Sequence, residues 1–119
     1  MAKVYPKVMF STAKSIRRLK KFTAYYDSLY EKYDVMLSPV LSHPVPEIGY
    51  FSPENNFFSS IEKLSQYVNY TTFQNTSGAP AISLPMGQCS NGLPLGVHFA
   101  GKLGDDRQLL ELAWEIEAN

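Results

Sequence analysis

Two apolar runs separated by a turn-rich segment constrain the fold of this chain more than any other feature. Residues 80–85 form the first run, residues 87–92 are rich in glycine, serine and asparagine, and residues 93–100 form the second run. Runs of this length joined in this way are typical of an antiparallel hairpin. Gly96 and Ala100 fall on the face opposite Val97 and Phe99, so another backbone can approach that face closely. The sequence therefore predicts a β-hairpin over residues 80–100.

Helical and irregular segments precede the hairpin. Apolar residues recur every three or four positions and predict an amphipathic helix over about 12–33: Ile16, Leu19, Phe22, Tyr26, Leu29 and Tyr33. A short buried strand is expected at 34–38. Residues 39–57 contain four prolines and Gly49, which predicts a long loop that is either a pocket wall or a mobile segment.

Two further helical segments and a C-terminal helix complete the prediction. Ser59 or Ser60 is expected to cap a helix that runs to about Tyr67, and a helical turn or two at 70–75 should stop at Gly78. A helix over 105–118 should begin at Asp105, with Gln108 reciprocating its cap. With 119 residues, 45% of them hydrophobic, the pattern predicts one globular α/β unit.

The charge distribution is uneven although the formal net charge is zero. Residues 1–21 contain seven lysines and arginines and no acidic residue, an arm that can attract nucleic acid or anionic lipid. No aromatic side chain interleaves with the bases between Lys14 and Lys21, as it would on a stacking platform. We therefore interpret the bases as the solvated face of a helix and expect neither a nucleic-acid partner nor a membrane.

Cysteine and histidine usage argues against disulfides and cofactors. Cys89 is the single cysteine, so no internal disulfide can form, and with no leader pattern the expected compartment is the reducing cytoplasm. No apolar run approaches the roughly 20 residues that span a bilayer. His43, His98 and Cys89 lack metal-ligand spacing, and no glycine-rich phosphate loop occurs. We expect no metal and no cofactor.

The residues by themselves do not reveal a catalytic set. Ser60 and Lys63 match the Ser-x-x-Lys pattern of penicillin-recognising enzymes, but the companion motifs are missing. No Gly-x-Ser-x-Gly elbow occurs. His98 has the titration range of a general base, yet no nucleophile or orienting acid accompanies it, and a structural role is the simpler interpretation.

Four blocks in register nevertheless resemble the C-terminal region of the amidase signature family. They are Asp34-Val-Met-Leu-Ser-Pro39, Asn75-Thr-Ser-Gly-Ala-Pro-Ala-Ile-Ser-Leu-Pro85, Gly92-Leu-Pro-Leu-Gly-Val-His-Phe-Ala-Gly101, and Gly104-Asp-Asp106 with Leu109-Leu-Glu-Leu-Ala113. The resemblance covers nearly everything from about residue 12 onward. The Gly-Val-His-Phe-Ala form is similar to bacterial cyclic-amide and cyclic-dimer hydrolases.

The resemblance implies the C-terminal part of a mixed sheet flanked by helices. It also implies hydrolysis of carbon–nitrogen (amide) bonds by a serine nucleophile, a second serine held by a cis peptide and an unprotonated lysine, through an acyl-enzyme. The family's Gly-Gly-Ser-Ser-Gly-Gly segment and lysine lie upstream of these blocks, and nothing in this sequence matches them. We therefore assign no catalytic residue and expect the chain to be inactive alone.

The resemblance places the substrate-pocket wall at the loop after Pro39 and at residues 73–77. Phe73 is a candidate for lining an apolar acyl site, with core packing as the alternative. Asn75 is a candidate for positioning backbone near the pocket, with a helix-end hydrogen bond as the alternative.

The expected partners are a small-molecule amide, bound by a full-length parent, and the N-terminal part of the amidase domain. Exposed strand edges also predict self-association into a homo-oligomer. The chain stops at Asn119, where relatives continue briefly, and this suggests an excised piece or a truncated reading frame. Two other functions stay open: a non-catalytic interaction module that binds through its basic arm, and a fragment of an amidotransferase.

Overall fold

The computed structural model describes residues 5–52 and 54–118, with side chains from residue 11 onward. Seven elements occur in these ranges. In chain order they are α1 (Tyr5–Leu29), β1 (Met36–Pro39), α2 (Phe57–Tyr67), α3 (Thr72–Ser77), β2 (Ala81–Gln88), β3 (Pro94–Ala100) and α4 (Asp106–Glu117).

The three strands form one antiparallel sheet in the order β1-β3-β2. The expected hairpin over 80–100 is confirmed as β2 and β3, which pair from Ala81 opposite Ala100 to Gln88 opposite Pro94. A bulge between Pro85 and Gly87 shifts the register by one residue. Gly92 adopts a φ of 81° in the connecting turn, a conformation that glycine reaches without steric cost.

One face of this sheet carries the hydrophobic core. Leu84 and Phe99 pack against Leu109 and Ala113 of α4, and all four are buried. These residues alternate along the strands and recur at helical spacing along α4, so both patterns direct apolar side chains to the same layer. The expected C-terminal helix is confirmed.

The start of α4 differs from the prediction in one detail. Asp105 occupies the N-cap position, but its side chain makes no capping hydrogen bond, so the predicted exchange with Gln108 does not form. The Asp105 backbone N–H bonds instead to the Lys102 carbonyl at 3.1 Å. That turn orients the first residues of the helix.

Helix α1 ends earlier than the periodicity predicts. Its regular part stops at Leu29, and the next three backbone N–H groups bond to carbonyls three residues back. Such tight turns reverse the chain within a few residues. The sequence predicted a helix over about 12–33, and the helix ends four residues before that limit, at Leu29. The strand expected from residue 34 begins at Met36.

Hydroxyl groups connect the end of α1 to α3 and to the sheet. The Tyr30 hydroxyl donates to the Ala100 carbonyl at 3.1 Å and lies 2.7 Å from the Tyr26 hydroxyl. Gln74 Nε2 donates to the Tyr26 hydroxyl at 3.3 Å. Burial raises the pKa of Tyr30 far above its ordinary value, and the Tyr26 hydrogen bond adds to this. The phenol therefore stays protonated and keeps its donor.

The cap of α2 is not the predicted serine. Helix α2 begins at Phe57, and the Asn56 side chain accepts a hydrogen bond from the Phe58 N–H at 3.0 Å. The prediction of Ser59 or Ser60 was wrong because both residues lie inside the first turn. Asparagine is an equally good cap. Helix α3 stops at Gly78, whose φ of 77° is left-handed.

Candidate substrate-pocket wall

The proline-rich loop is ordered around a cluster of aromatic rings. His43 lies 4.9 Å from Tyr67 of α2 and 5.8 Å from Tyr50, measured between ring centroids. Phe51 lies 4.9 Å from Tyr50 and 5.2 Å from Tyr67. Tilted and edge-on contacts at these distances stabilise aromatic pairs. The cluster fixes the loop against α2.

Polar contacts from within the loop and from α2 hold the same loop. The Tyr50 carbonyl accepts hydrogen bonds from Asn55 Nδ2 at 3.0 Å and from Lys63 Nζ at 3.3 Å. The Lys63 ammonium also lies 4.7 Å from the centroid of the Tyr50 ring, within range of a cation–π interaction. The Lys63 side chain is thus bound to the loop through Tyr50. This contact gives the lysine of the Ser-x-x-Lys pattern at Ser60 and Lys63 a structural role.

His43 leaves one polar atom without a partner. Its Nδ1 lies 2.8 Å from the Pro44 carbonyl, and a carbonyl can only accept, so Nδ1 carries the proton. In the neutral imidazole Nε2 is then an acceptor. It is buried and has no donor among the described residues. No local sequence pattern signals this arrangement, because the contacts between the loop and α2 that create it are not local.

An open cleft of about 580 Å³ lies beside the aromatic cluster. Its lining is mostly apolar and comes almost entirely from the loop: Val45, Pro46, Glu47, Ile48, Gly49, Tyr50, Phe51, Ser52 and Tyr67. Ile48 is fully exposed, and Val45 is half-exposed. The volume is within the range of small-molecule sites, but the cleft is open to solvent, and these residues form one side of a site and do not enclose a ligand.

The two predicted wall residues lie on α3 and do not line this cleft. Phe73 stacks on Phe22 of α1 at 6.1 Å with an interplanar angle of 17°, while half of its surface stays exposed. Asn75 is exposed, and its side chain makes no hydrogen bond to any described residue. Between them Gln74 is buried, and its Oε1 has no donor in the described part of the chain.

His98 lies in the centre of the sheet, on the face opposite the core. It is directly opposite Ser38 on β1 and Ser83 on β2, and its Nδ1 is 3.3 Å from the Ser38 hydroxyl. Burial lowers the pKa of His98 below its ordinary value of 6.5. A neutral imidazole beside a serine hydroxyl resembles a nucleophile–base pair, but no carboxylate among the described residues bonds to this histidine. We interpret the pair as a cross-strand hydrogen bond.

Metal-ion and membrane-spanning features are not evident in residues 5–52 and 54–118. No three histidine, cysteine, aspartate or glutamate side chains of these ranges lie close enough to share a metal ion. None of the helices found there combines the length and apolar character needed to cross a bilayer.

The fold and the four sequence blocks together define the class of this protein. Residues 2–110 match the Amidase family, and the chain belongs to that family. The resemblance stated from the sequence is therefore confirmed.

Similar curated proteins are several times longer than this chain. It is 38% identical over 109 residues to the protein named "Putative amidase AmiC" in Mycobacterium leprae (strain TN), an alignment that covers 92% of this chain and 23% of that protein. Identity to a glutamyl-tRNA(Gln) amidotransferase subunit of Bdellovibrio bacteriovorus is 30%, over 95% of this chain and 21% of that protein. The chain thus spans less than a quarter of the length of these relatives.

Solved structures agree with this assignment. The substrate complex of 6-aminohexanoate cyclic dimer hydrolase superposes with a TM-score of 0.76 at 27% identity, over 89% of this chain and 23% of that one. The glutamyl-tRNA(Gln) amidotransferase subunit from Thermotoga maritima superposes with a TM-score of 0.69 at 25% identity, over 98% of this chain and 27% of that one.

Proposed function

We propose that this chain forms the C-terminal portion of an amidase-type serine hydrolase that acts on carbon–nitrogen bonds, and that it is inactive alone. The observation that carries the proposal is the match to the Amidase family over residues 2–110, in a sequence without the family's Gly-Gly-Ser-Ser-Gly-Gly segment. Without a nucleophile and its proton acceptor, no acyl-enzyme can form. The chain then supplies part of the sheet and part of the pocket wall, and the N-terminal part of the domain supplies the chemistry.

The apolar cleft supports a small amide with an apolar acyl part as the substrate. Tyr50, Phe51 and Tyr67 contribute aromatic surface to it, and none of its lining residues is a lysine or arginine that would favour an acidic substrate. The half-exposed ring of Phe73 and the exposed amide of Asn75 extend the candidate wall onto α3. A reducing, cytoplasmic location accords with the single free cysteine, Cys89.

An amidotransferase role is the second candidate, since subunits of this kind are 30% identical to the chain. Two comparisons favour the hydrolase. Identity to AmiC is higher, at 38%, and the cyclic dimer hydrolase superposes with a higher TM-score than the amidotransferase subunit, 0.76 against 0.69. A non-catalytic interaction module is the third candidate, and its support is the exposure of residues 11–21, which contain five bases.

An amide-hydrolysis assay tests the proposal. The purified chain is incubated with a panel of linear and cyclic carboxamides, with 6-aminohexanoate cyclic dimer hydrolase and its cyclic dimer as the positive control. We expect no turnover above buffer. Turnover that disappears in Ser38→Ala, Ser60→Ala or Ser83→Ala would overturn the claim of inactivity, because it would identify a nucleophile within this chain.

A further inference from the structure

The outward face of α4 carries two large apolar side chains. Leu110 is 63% exposed, and Trp114, the single tryptophan of the chain, is 77% exposed. They are four positions apart, so they are neighbours along the helix surface. Leu109 and Ala113 hold the other side of α4 against the sheet. Leu110 and Trp114 therefore take no part in the core that anchors their own helix.

A concave surface of about 380 Å³ lies beside Trp114, and every residue that lines it belongs to α4. The lining residues are Arg107, Leu110, Glu111, Trp114 and Glu115. Tryptophan is highly buried in most folded proteins. An exposed tryptophan next to an exposed aliphatic side chain is more typical of a surface that binds another protein.

Charges of opposite sign flank the two apolar residues. Arg107 lies three positions before Leu110, Glu117 lies three positions after Trp114, and both are exposed. The Arg107 Nε donates to Glu111 at 2.7 Å, and the terminal nitrogens of the guanidinium carry further N–H donors. Glu117 forms no ion pair with a described residue. Along the helix the order is thus base, apolar, apolar, acid.

This order is complementary to itself when a second copy of the helix runs in the opposite direction. In an antiparallel pair centred on Leu112, Arg107 meets Glu117 of the second copy, and Leu110 meets Trp114 of the second copy. Two-fold symmetry makes each of these contacts twice. A parallel pair would instead place Arg107 against Arg107 and Glu117 against Glu117. Charge complementarity therefore selects a second copy, in antiparallel orientation, as the occupant of this face.

We propose that the outward face of α4 is a two-fold dimer interface in which the α4 helices of two copies pair antiparallel around Leu110 and Trp114. The inference does not depend on the proposed function. A tryptophan buries roughly 150–250 Å², so the two tryptophans, the two leucines and the charged stems bury on the order of 1,000 Å² together, at the lower end of specific interfaces. Such a dimer is weak, and in dilute solution unfolding measurements report on the monomer.

The single tryptophan makes this pairing directly observable. Fluorescence of Trp114 is recorded as the concentration of the chain rises from about 1 µM to about 1 mM. We expect the emission to move to shorter wavelength, and its quenching by acrylamide to fall, because the indole ring leaves water when the helices pair. This measurement needs no variant.

Pairing through β2, the last strand of the sheet among the described residues, is separated by one substitution. The Gly101 N–H donates to the Pro80 carbonyl, and bonded pairs alternate along an antiparallel ladder, so the N–H groups of Ala81 and Ser83 point away from β3. Ser83→Pro removes one of these donors and leaves α4 unchanged. In this variant we expect the Trp114 shift to persist, and sedimentation equilibrium to fit a monomer and a dimer.

Charge reversal tests the antiparallel register. Arg107→Glu sets two acids against each other across the pair, and Glu117→Arg sets two bases, so each variant alone should dimerise about tenfold or more weakly. In an equimolar mixture the acidic face of one variant meets the basic face of the other, and the affinity of the parent chain should return. Lys20→Glu, on the exposed part of α1, changes the net charge as Arg107→Glu does and should leave dimerisation unchanged.

Trp114→Ala tests the centre of the interface. We expect it to weaken the dimer about thirtyfold or more, as truncation of a central interface tryptophan does. Because this variant lacks the fluorescent reporter, its association is measured by sedimentation equilibrium in the Ser83→Pro background.

Three results would overturn the proposal. The first is a Trp114 emission that does not change over this concentration range, and the second is an emission change that disappears in Ser83→Pro. The third is a dimer that neither charge reversal weakens, or two weakened variants that mixing does not restore. Circular dichroism checks the fold of each variant, and a misfolded variant would not regain affinity on mixing.

Discussion

Gly96 is the residue whose missing side chain matters most for strand packing. A Cβ added there would lie 2.8 Å from Val40 Cγ2 and 3.2 Å from the Ser83 hydroxyl, closer than van der Waals contact allows. We expect Gly96→Ala to lower the free energy of unfolding by about 1–3 kcal/mol, measured by urea denaturation. Gly87→Ala, where the nearest atom is 3.9 Å away, is the control. Equal effects of the two changes would contradict the steric explanation.

Leu84 shows the cost of emptying the core between the sheet and α4. Its side chain is 4% exposed, so Leu84→Ala removes buried methyl groups and leaves a cavity. We expect a loss of about 2–5 kcal/mol in the free energy of unfolding. Leu110→Ala, on the exposed side of the same helix, should change it by less than about 0.5 kcal/mol. A cost at Leu84 no larger than that at Leu110 would show that this layer is not the core.

His98 couples the stability of the sheet to pH. Burial lowers its pKa in the folded chain below the ordinary 6.5, so at acidic pH the unfolded chain binds more protons than the folded one. Its stabilising contribution is therefore fully present above pH 6.5 and is lost as pH falls through the folded-state pKa. His98→Gln should flatten the dependence of unfolding free energy on pH below 6.5. Identical pH profiles for both proteins would refute this assignment.

At the level of elements, the Tyr30 hydroxyl joins the turn after α1 to β3. The Tyr30 hydroxyl donates to the Ala100 carbonyl of β3 and lies within hydrogen-bond distance of the Tyr26 hydroxyl. Tyr30→Phe removes this hydrogen-bond partner from the Ala100 carbonyl and from the Tyr26 hydroxyl. We expect a loss of about 1–3 kcal/mol in the free energy of unfolding. Tyr25→Phe, on the exposed side of α1, is the matched control. Should both variants unfold at the same urea concentration as the parent chain, the hydroxyl contributes nothing to docking.

The elements also show where periodicity succeeds and where it fails. The hairpin follows from apolar residues that recur about every two positions, and α4 from apolar residues that recur about every 3.6 positions. Each element buries one continuous apolar face, so the period is visible in the sequence. The end of α1 does not follow from the period of its apolar residues. Tyr33 continues the apolar stripe of the helix, but the chain has already turned at Tyr30. The cap of α2 was expected at Ser59 or Ser60, whereas Asn56 provides it. Boundaries depend on single hydrogen bonds that a periodicity does not encode.

The whole molecule is expected to self-associate when no partner is present. Among the described residues β2 is the last strand of the sheet, and only β3 pairs with it. Strand edges of this kind pair with other copies of the same chain. Light scattering should show an average mass that rises with concentration, and Ser83→Pro should reduce the rise while Ser83→Ala does not. A strictly monomeric chain at high concentration would argue against this prediction.

The sequence indicated the loop after Pro39 as a pocket wall, and that stays a prediction. The structure shows an open, mostly apolar cleft beside this loop. The aromatic cluster around His43 and the engagement of Lys63 were missed, because they join the loop to α2 between residues far apart in the chain. Phe73 and Asn75 stay predictions, since they lie on α3 and outside that cleft.

The sequence by itself determined the hairpin, the C-terminal helix and the membership in the Amidase family, because each depends on residues close together in the chain or on blocks in a fixed order. Only the tertiary structure decided that β3 lies between β1 and β2, that His98 faces Ser38, and that Ala81 and Ser83 direct their peptide groups to an open edge. Those features arise from contacts between residues far apart in sequence. No local pattern specifies such contacts, because they are set by how the layers pack together.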